Sequence, residues 1–135
     1  MGKFLKQYEV LFKKAKVDLN MAKLALDAFE KGEIELDLEV IMFHIQQSAE
    51  KLLKSLLSYN EMNFTKTHDI KQLIYALKDK NITMLENIEE FIPLTYYAVD
   101  GRYAVIHDDM EDVKKYIELL ETFKEFVRVT LKLGC

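Results

Sequence analysis

The sequence predicts an all-α protein, an antiparallel up-and-down helical bundle of four long helices plus a short one. Three observations carry that expectation. Apolar residues recur at steps of three and four over long stretches, which places them on single helical faces. Glycine and proline are scarce, with four Gly and one Pro in 135 residues, whereas a β-sandwich needs a turn every ~8–12 residues. No segment alternates with the period of a strand, and no internal repeat or linker interrupts the pattern.

The first helix is expected over residues 3–30. Phe4, Tyr8, Leu11, Ala15, Leu19, Ala22, Leu26 and Phe29 form its stripe, and Lys31-Gly32 ends it with a cation followed by a glycine stop. The second runs from about Leu36 to Ser58 on Leu38, Ile41, Met42, Ile45, Ala49, Leu52, Leu53 and Leu56. Gln46, Gln47, Glu50, Lys51 and Lys54 flank that stripe. Glu50 and Lys54 form an i,i+4 pair in the favoured order, worth a few tenths of a kcal/mol if exposed.

Asn60–Lys66 reads as a loop. A short third helix follows at about 68–80, with Thr67 as N-cap and Ile70, Leu73, Ile74 and Leu77 facing inward. Thr83-Met84-Leu85-Glu86 has the capping-box pattern and predicts the start of a fourth helix. Pro93 must kink or split that helix, because it lacks a backbone donor and clashes one turn back. Asp100-Gly101 marks a turn. The last helix starts near Asp108 or Asp109, whose carboxylates together with Glu111 and Asp112 suit the positive end of the helix dipole. Its stripe is Val113, Tyr116, Ile117, Leu120, Phe123, Val127 and Leu131, and Gly134 closes it.

The whole chain, 1–135, reads as one domain. Half of its residues are hydrophobic and 31% are charged, enough for a real core and too apolar for a disordered chain. Cys135 is the lone cysteine, so no intrachain disulfide can form. Met1-Gly2-Lys3 leads into a charged amphipathic segment with no apolar run, so no signal peptide is expected. Lys6 stands where a myristoylation start needs Ser or Thr. No stretch approaches the ~18 apolar residues of a membrane span. A cytoplasmic protein that does not engage a membrane follows as the simplest placement.

Net charge is -4, from 19 basic and 23 acidic residues. A domain that grips the DNA backbone usually has the opposite sign, so DNA is not an expected partner. Arg102 and Arg128 are the only arginines, and an arginine used so sparingly is a candidate anion ligand. A bundle with helices of unequal length leaves apolar surface uncovered. Phe12, Phe43, Tyr59, Phe64, Phe91 and Phe126 are more aromatics than one narrow core absorbs, which predicts a homodimer packed through helix faces.

Several polar residues stand out. Asp18 interrupts the stripe of the first helix. It is either solvated at the stripe edge or paired with a cation, Lys54 or Arg102. His44, between Phe43 and Ile45, reads as a flank histidine bonded to backbone or water. His68-Asp69 opens the third helix; Asp69 serves the helix start and His68 belongs to that local network. The spacing of the histidines and the absence of a Cys cluster predict no metal site, and nothing calls for a cofactor. Tyr96 and Tyr97 either pack or stack a base. Arg102 and His107 share one loop. Such a pair can cleave RNA without metal: neutral His takes the proton of a ribose 2′-hydroxyl, and Arg stabilises charge growing on the phosphorus.

At these residues the chain resembles the HEPN domain family, the higher eukaryotes and prokaryotes nucleotide-binding domain. Ala15-Lys16-Val17-Asp18-Leu19 with Ala22 is similar to the first-helix pattern of that family. Ile45-Gln46-Gln47-Ser48-Ala49-Glu50-Lys51-Leu52-Leu53-Lys54 is similar to its signature second helix. Thr67-His68-Asp69-Ile70 with Leu73, and Leu94-Thr95-Tyr96-Tyr97 through Arg102-Tyr103, resemble later elements.

The resemblance implies a dimerising bundle often encoded beside a minimal nucleotidyltransferase, in a two-component, toxin-antitoxin-like system. Nucleotide binding is the implied role in this branch. Other branches are metal-independent endoribonucleases using Arg-x(4–6)-His, a spacing that Arg102 and His107 match. Three residues depart from those patterns: Tyr103 follows the Arg where active members carry a small polar residue, Asp109 stands where one toxin branch has Tyr, and Ala104 replaces the Pro of the "RYP" branch.

Three functional expectations result. In the first, a binding module holds a nucleotide or a nucleotidyltransferase partner with Asp18, Lys54, His68, Arg102 and Tyr97; Arg102 meets phosphate, Lys54 supports it, and Asp18 orients them. In the second, an RNase uses Arg102 as electrophile and His107 as general acid/base. In the third, the chain is a structural dimeric adaptor without catalysis, and the same polar cluster serves folding alone.

Overall fold

The computed structural model describes residues 5–35, 37–64, 66–98 and 110–134. It is all-helical among those residues, with α1 (Gln7–Glu30), α2 (Leu38–Tyr59), α3 (Ile70–Asp79), a 3₁₀ segment (Ile88–Ala98) and α4 (Met110–Thr130). The helical bundle is therefore as the periodicity requires. Two departures from expectation lie in the segment between α3 and α4. The pattern at Thr83–Glu86 caps no helix, since residues 82–85 have no regular structure and helical backbone begins at Ile88. Around Pro93 the chain is not an α-helix, kinked or split, but follows a tighter 3₁₀ course through 11 residues. An α-helical course would put the Pro93 ring against the carbonyl of Glu89.

α2 is the central element, packing against α1, α3, the 3₁₀ segment and α4. It is accordingly buried well beyond a single stripe. Ile41, Met42, Ile45, Leu52, Leu53, Leu56 and Leu57 have no solvent exposure, and each such aliphatic side chain contributes about 2 kcal/mol by leaving water. α1 runs antiparallel to α2. Near one end of the pair Ser58 Oγ donates to Gln7 (3.1 Å), and near the middle Ser48 Oγ donates to the Ala15 carbonyl (2.7 Å). α4 is also antiparallel to α1, as the Lys23–Glu121 and Lys114–Glu30 ion pairs show (both 2.8 Å).

The four α-helices stop in the same way. After α1, Gly32 takes φ 71°, with Gly32 N–H donating to the Phe29 carbonyl and Glu33 N–H to that of Ala28. This is the Schellman arrangement, which occupies carbonyls that the helix end leaves free. α2, α3 and α4 repeat it with Glu61 (φ 56°), Asn81 (φ 58°) and Lys132 (φ 57°) in the left-handed position. The residue after each turn, Met62, Ile82 and Leu133, packs back on the core. α4 thus ends through Lys132, not at Gly134.

The start of α3 matters for the site. The Asp69 carboxylate accepts from Lys71 N–H (3.0 Å), and Thr95 Oγ1 of the 3₁₀ segment accepts from Ile70 N–H (3.0 Å). Thr67 does not cap the helix directly. Its hydroxyl accepts from Asp69 N–H (3.0 Å) and donates to Gln72 (3.0 Å). These bonds fix the backbone on both sides of His68.

Candidate functional site

Two polar clusters lie on α2, one turning toward α1 and the other toward α3. In the first, Asp18 accepts from Lys51 Nζ through one oxygen (2.5 Å), and His44 Nδ1 lies 3.1 Å from the other. Lys54 is not its partner. Asp18 is neither solvated nor alone; its side chain is 13% exposed. The histidine read as bonded to backbone or water is bonded to this carboxylate instead, with its ring edge-on to Phe43.

The second cluster is centred on Glu50, whose side chain is 4% exposed. Burying a carboxylate is costly unless its oxygens are occupied, and here three donors converge on it. Gln46 Nε2 and His68 Nδ1 each lie 2.9 Å from Oε1, and Lys54 Nζ lies 2.9 Å from Oε2. Gln47 Nε2 extends the chain by donating to Gln46 Oε1 (2.6 Å). Lys54 also sits 5.7 Å from the centroid of the Phe64 ring, a cation–π distance. The Glu50–Lys54 pair is therefore buried and interconnected, not the exposed pair that its spacing alone suggests.

Of the residues singled out from the sequence, the structure unites Lys54 and His68 through Glu50 and places Asp18 with a different cation. Tyr97 is on the 3₁₀ segment, two residues after the Thr95 that bonds the start of α3. Its ring packs on the core, edge-to-face with Tyr96 at 5.8 Å. Its hydroxyl is buried and has no hydrogen-bond partner among the described residues. Arg102 and His107, with Asp108 and Asp109, lie outside the described residues. Among the described residues, no three His, Cys, Asp or Glu side chains group as a metal site.

Gln46 and Glu50 are the functional candidates that the stripe reading passes over. Met42, Gln46, Ala49, Leu53 and Leu56 follow a four-three-four-three spacing, so Gln46 fills a core position in an otherwise apolar series. That interruption was the available signal. Glu50 falls one turn after it, and the elements that pack around α2 make it a buried residue.

A central helix carrying a buried Glu–Lys–Gln network, ringed by three helices and a 3₁₀ segment, defines an all-α domain with a polar site built into its core helix. The particular family follows from the sequence match: the family model described as HEPN domain covers residues 8–130, and the chain belongs to that family. No curated protein and no solved structure is significantly similar to it.

Proposed function

We propose that this HEPN protein is the nucleotide-binding half of a two-component, toxin-antitoxin-like system with a nucleotidyltransferase partner, acting as a homodimer in the cytoplasm. One observation supports the binding reading above the others: the family's signature helix carries a buried carboxylate that gathers Lys54 and the exposed His68 at the start of α3. His68 closes this network at the surface, where its imidazole is also open to a ligand. Arg102 supplies the phosphate contact, because a chain of net charge -4 needs a local cation to hold a polyphosphate. Tyr97, five residues earlier, belongs to the same ligand set.

For the dimer, the support is an apolar face on α1. Val17, Met21 and Leu24 are 60%, 44% and 63% exposed and share one side of the helix, opposite the buried Ala15, Leu19, Ala22 and Leu26. A second copy laid antiparallel there sets Val17 against Leu24 and brings Lys13 near Asp27 at the rim. The six aromatics that suggested a dimer do not form this face. Phe12 and Phe91 are buried, and Phe43, Tyr59, Phe64 and Phe126 are half-buried.

Calorimetry with ATP tests the reading. Wild-type protein is expected to bind, and Arg102→Ala to lose binding while keeping its helicity and oligomeric state. Unchanged binding in Arg102→Ala overturns this assignment. RNA cleavage in EDTA that disappears in His107→Ala would replace binding with the RNase reading. A variant that only melts earlier would leave the adaptor.

A further inference from the structure

The hydrogen bonds of Glu50 determine the chemistry that His68 presents to solvent. A carboxylate held by an ammonium is ionised, and an ionised carboxylate only accepts. The imidazole atom 2.9 Å from it, Nδ1, must therefore carry hydrogen. In a neutral imidazole the other nitrogen is then the acceptor. The His68 side chain is 59% exposed, and Nε2 has no hydrogen-bond partner among the described residues. Lys54 cannot supply a spare charge beside it, because its ammonium is matched by Glu50 and only 12% of its side chain is exposed. Of the remaining nearby groups, the Asp69 carboxylate is turned to Lys71 N–H and the Thr67 hydroxyl to Gln72. With the imidazole in its neutral form, Glu50, Lys54 and His68 together carry no net charge, and the cluster then offers a phosphate little attraction. It offers one fixed lone pair.

We infer that Glu50 is a positioning residue that locks His68 in the Nδ1–H tautomer, and that His68 Nε2 accepts a hydrogen bond from a ribose hydroxyl of the bound nucleotide. The identity of the ligand rests on the nucleotide reading above; the tautomer lock does not. The cluster thus recognises the sugar, and phosphate recognition belongs to other groups. The same geometry is used wherever a buried carboxylate orients a histidine toward a ligand.

The lock is measured on the unmodified protein by long-range ¹H–¹⁵N correlation at about pH 8, where an ordinary imidazole is neutral. The His68 resonances are identified by their loss in His68→Phe. The Nδ1–H pattern is expected; a predominant Nε2–H pattern overturns the inference. In Glu50→Gln, where Lys54 and Gln46 compete for one remaining carbonyl, a mixture of tautomers is expected, and an unchanged tautomer removes Glu50 from the positioning role. For the contact, calorimetry compares ATP with its 2′-deoxy and 3′-deoxy analogues. One analogue should bind about three- to tenfold more weakly, the value of a single lost hydrogen bond, and His68→Phe should erase the difference. Equal affinity of all three in the wild type overturns the hydroxyl contact while the nucleotide reading stands. Wild-type protein that binds no ATP overturns that reading and the contact together, and the tautomer spectrum still reports on the lock.

Discussion

At the scale of single residues, charge pairs of similar length differ in value because their surroundings differ. Lys54–Glu50 (2.9 Å) and Lys31–Asp27 (3.0 Å) are both i,i+4 pairs, but the first has side chains 12% and 4% exposed and the second 61% and 60%. Lys54→Met leaves Glu50 buried with fewer donors and should cost about 3 kcal/mol in urea unfolding. Lys31→Ala should change stability by less than about 0.5 kcal/mol. Glu121 gives a pH signature. Burial pushes its carboxyl up, but hydrogen bonds from Lys23 and Lys124 and their charges outweigh it and hold the group below the ordinary 4.5. A lowered folded value means stabilisation that is complete above the unfolded value and is lost as pH falls through the folded one. Wild-type stability should therefore fall more than that of Lys23→Ala as the pH drops from above 4.5 into the acid range, measured as the urea midpoint. The gap should be small, because the pair is largely solvated.

Residues also show what the sequence could reveal. Asp18 was conspicuous because it broke an apolar stripe, and it is paired. Which cation pairs with it was not legible: Lys54 and Arg102 were the expected partners, and the packing of α2 against α1 brings Lys51 there instead. Glu50 looked like a surface residue because its burial comes from elements that pack on α2 from elsewhere in the sequence.

At the scale of elements, helix ends illustrate the same limit. The stop after α1 was readable because glycine occupies the left-handed position. The stops after α2, α3 and α4 use Glu61, Asn81 and Lys132, where side-chain identity gives little sign of the turn. A non-glycine residue there bears a steric cost of about 1 kcal/mol. Glu61→Gly should accordingly raise stability by up to about 1 kcal/mol, seen as a higher urea midpoint with an unchanged slope. Removing the α3 cap by Asp69→Ala should lower stability by about 1 kcal/mol. The 3₁₀ segment was half legible: Pro93 announced a disturbance, but the resulting helix type depends on packing against α2 and α3.

At the scale of the whole molecule, the helical class was fully legible because hydrophobic periodicity over 20 or so residues leaves few alternatives. The core-facing stripe of α1 was legible too, since Ala15, Leu19, Ala22 and Leu26 are buried, while Val17, Met21 and Leu24 form a second apolar face turned outward. The unfilled face bears on assembly. Sedimentation of the wild type should give a dimer, and Leu24→Glu a monomer of unchanged helicity; a wild-type monomer would remove the second copy from the proposal. No helix among the described residues is long and apolar enough to cross a membrane.

The encirclement of α2 also orders events during synthesis. Its companion α1 precedes it from the ribosome, but α3, the 3₁₀ segment and α4 follow. In the nascent chain the flank bearing Gln46, Glu50 and Lys54 is hydrated until His68 and α3 arrive. Desolvation of that ion pair is thus deferred to the moment when the imidazole that completes it is delivered, so the chain never has to carry the charge dry and unfinished.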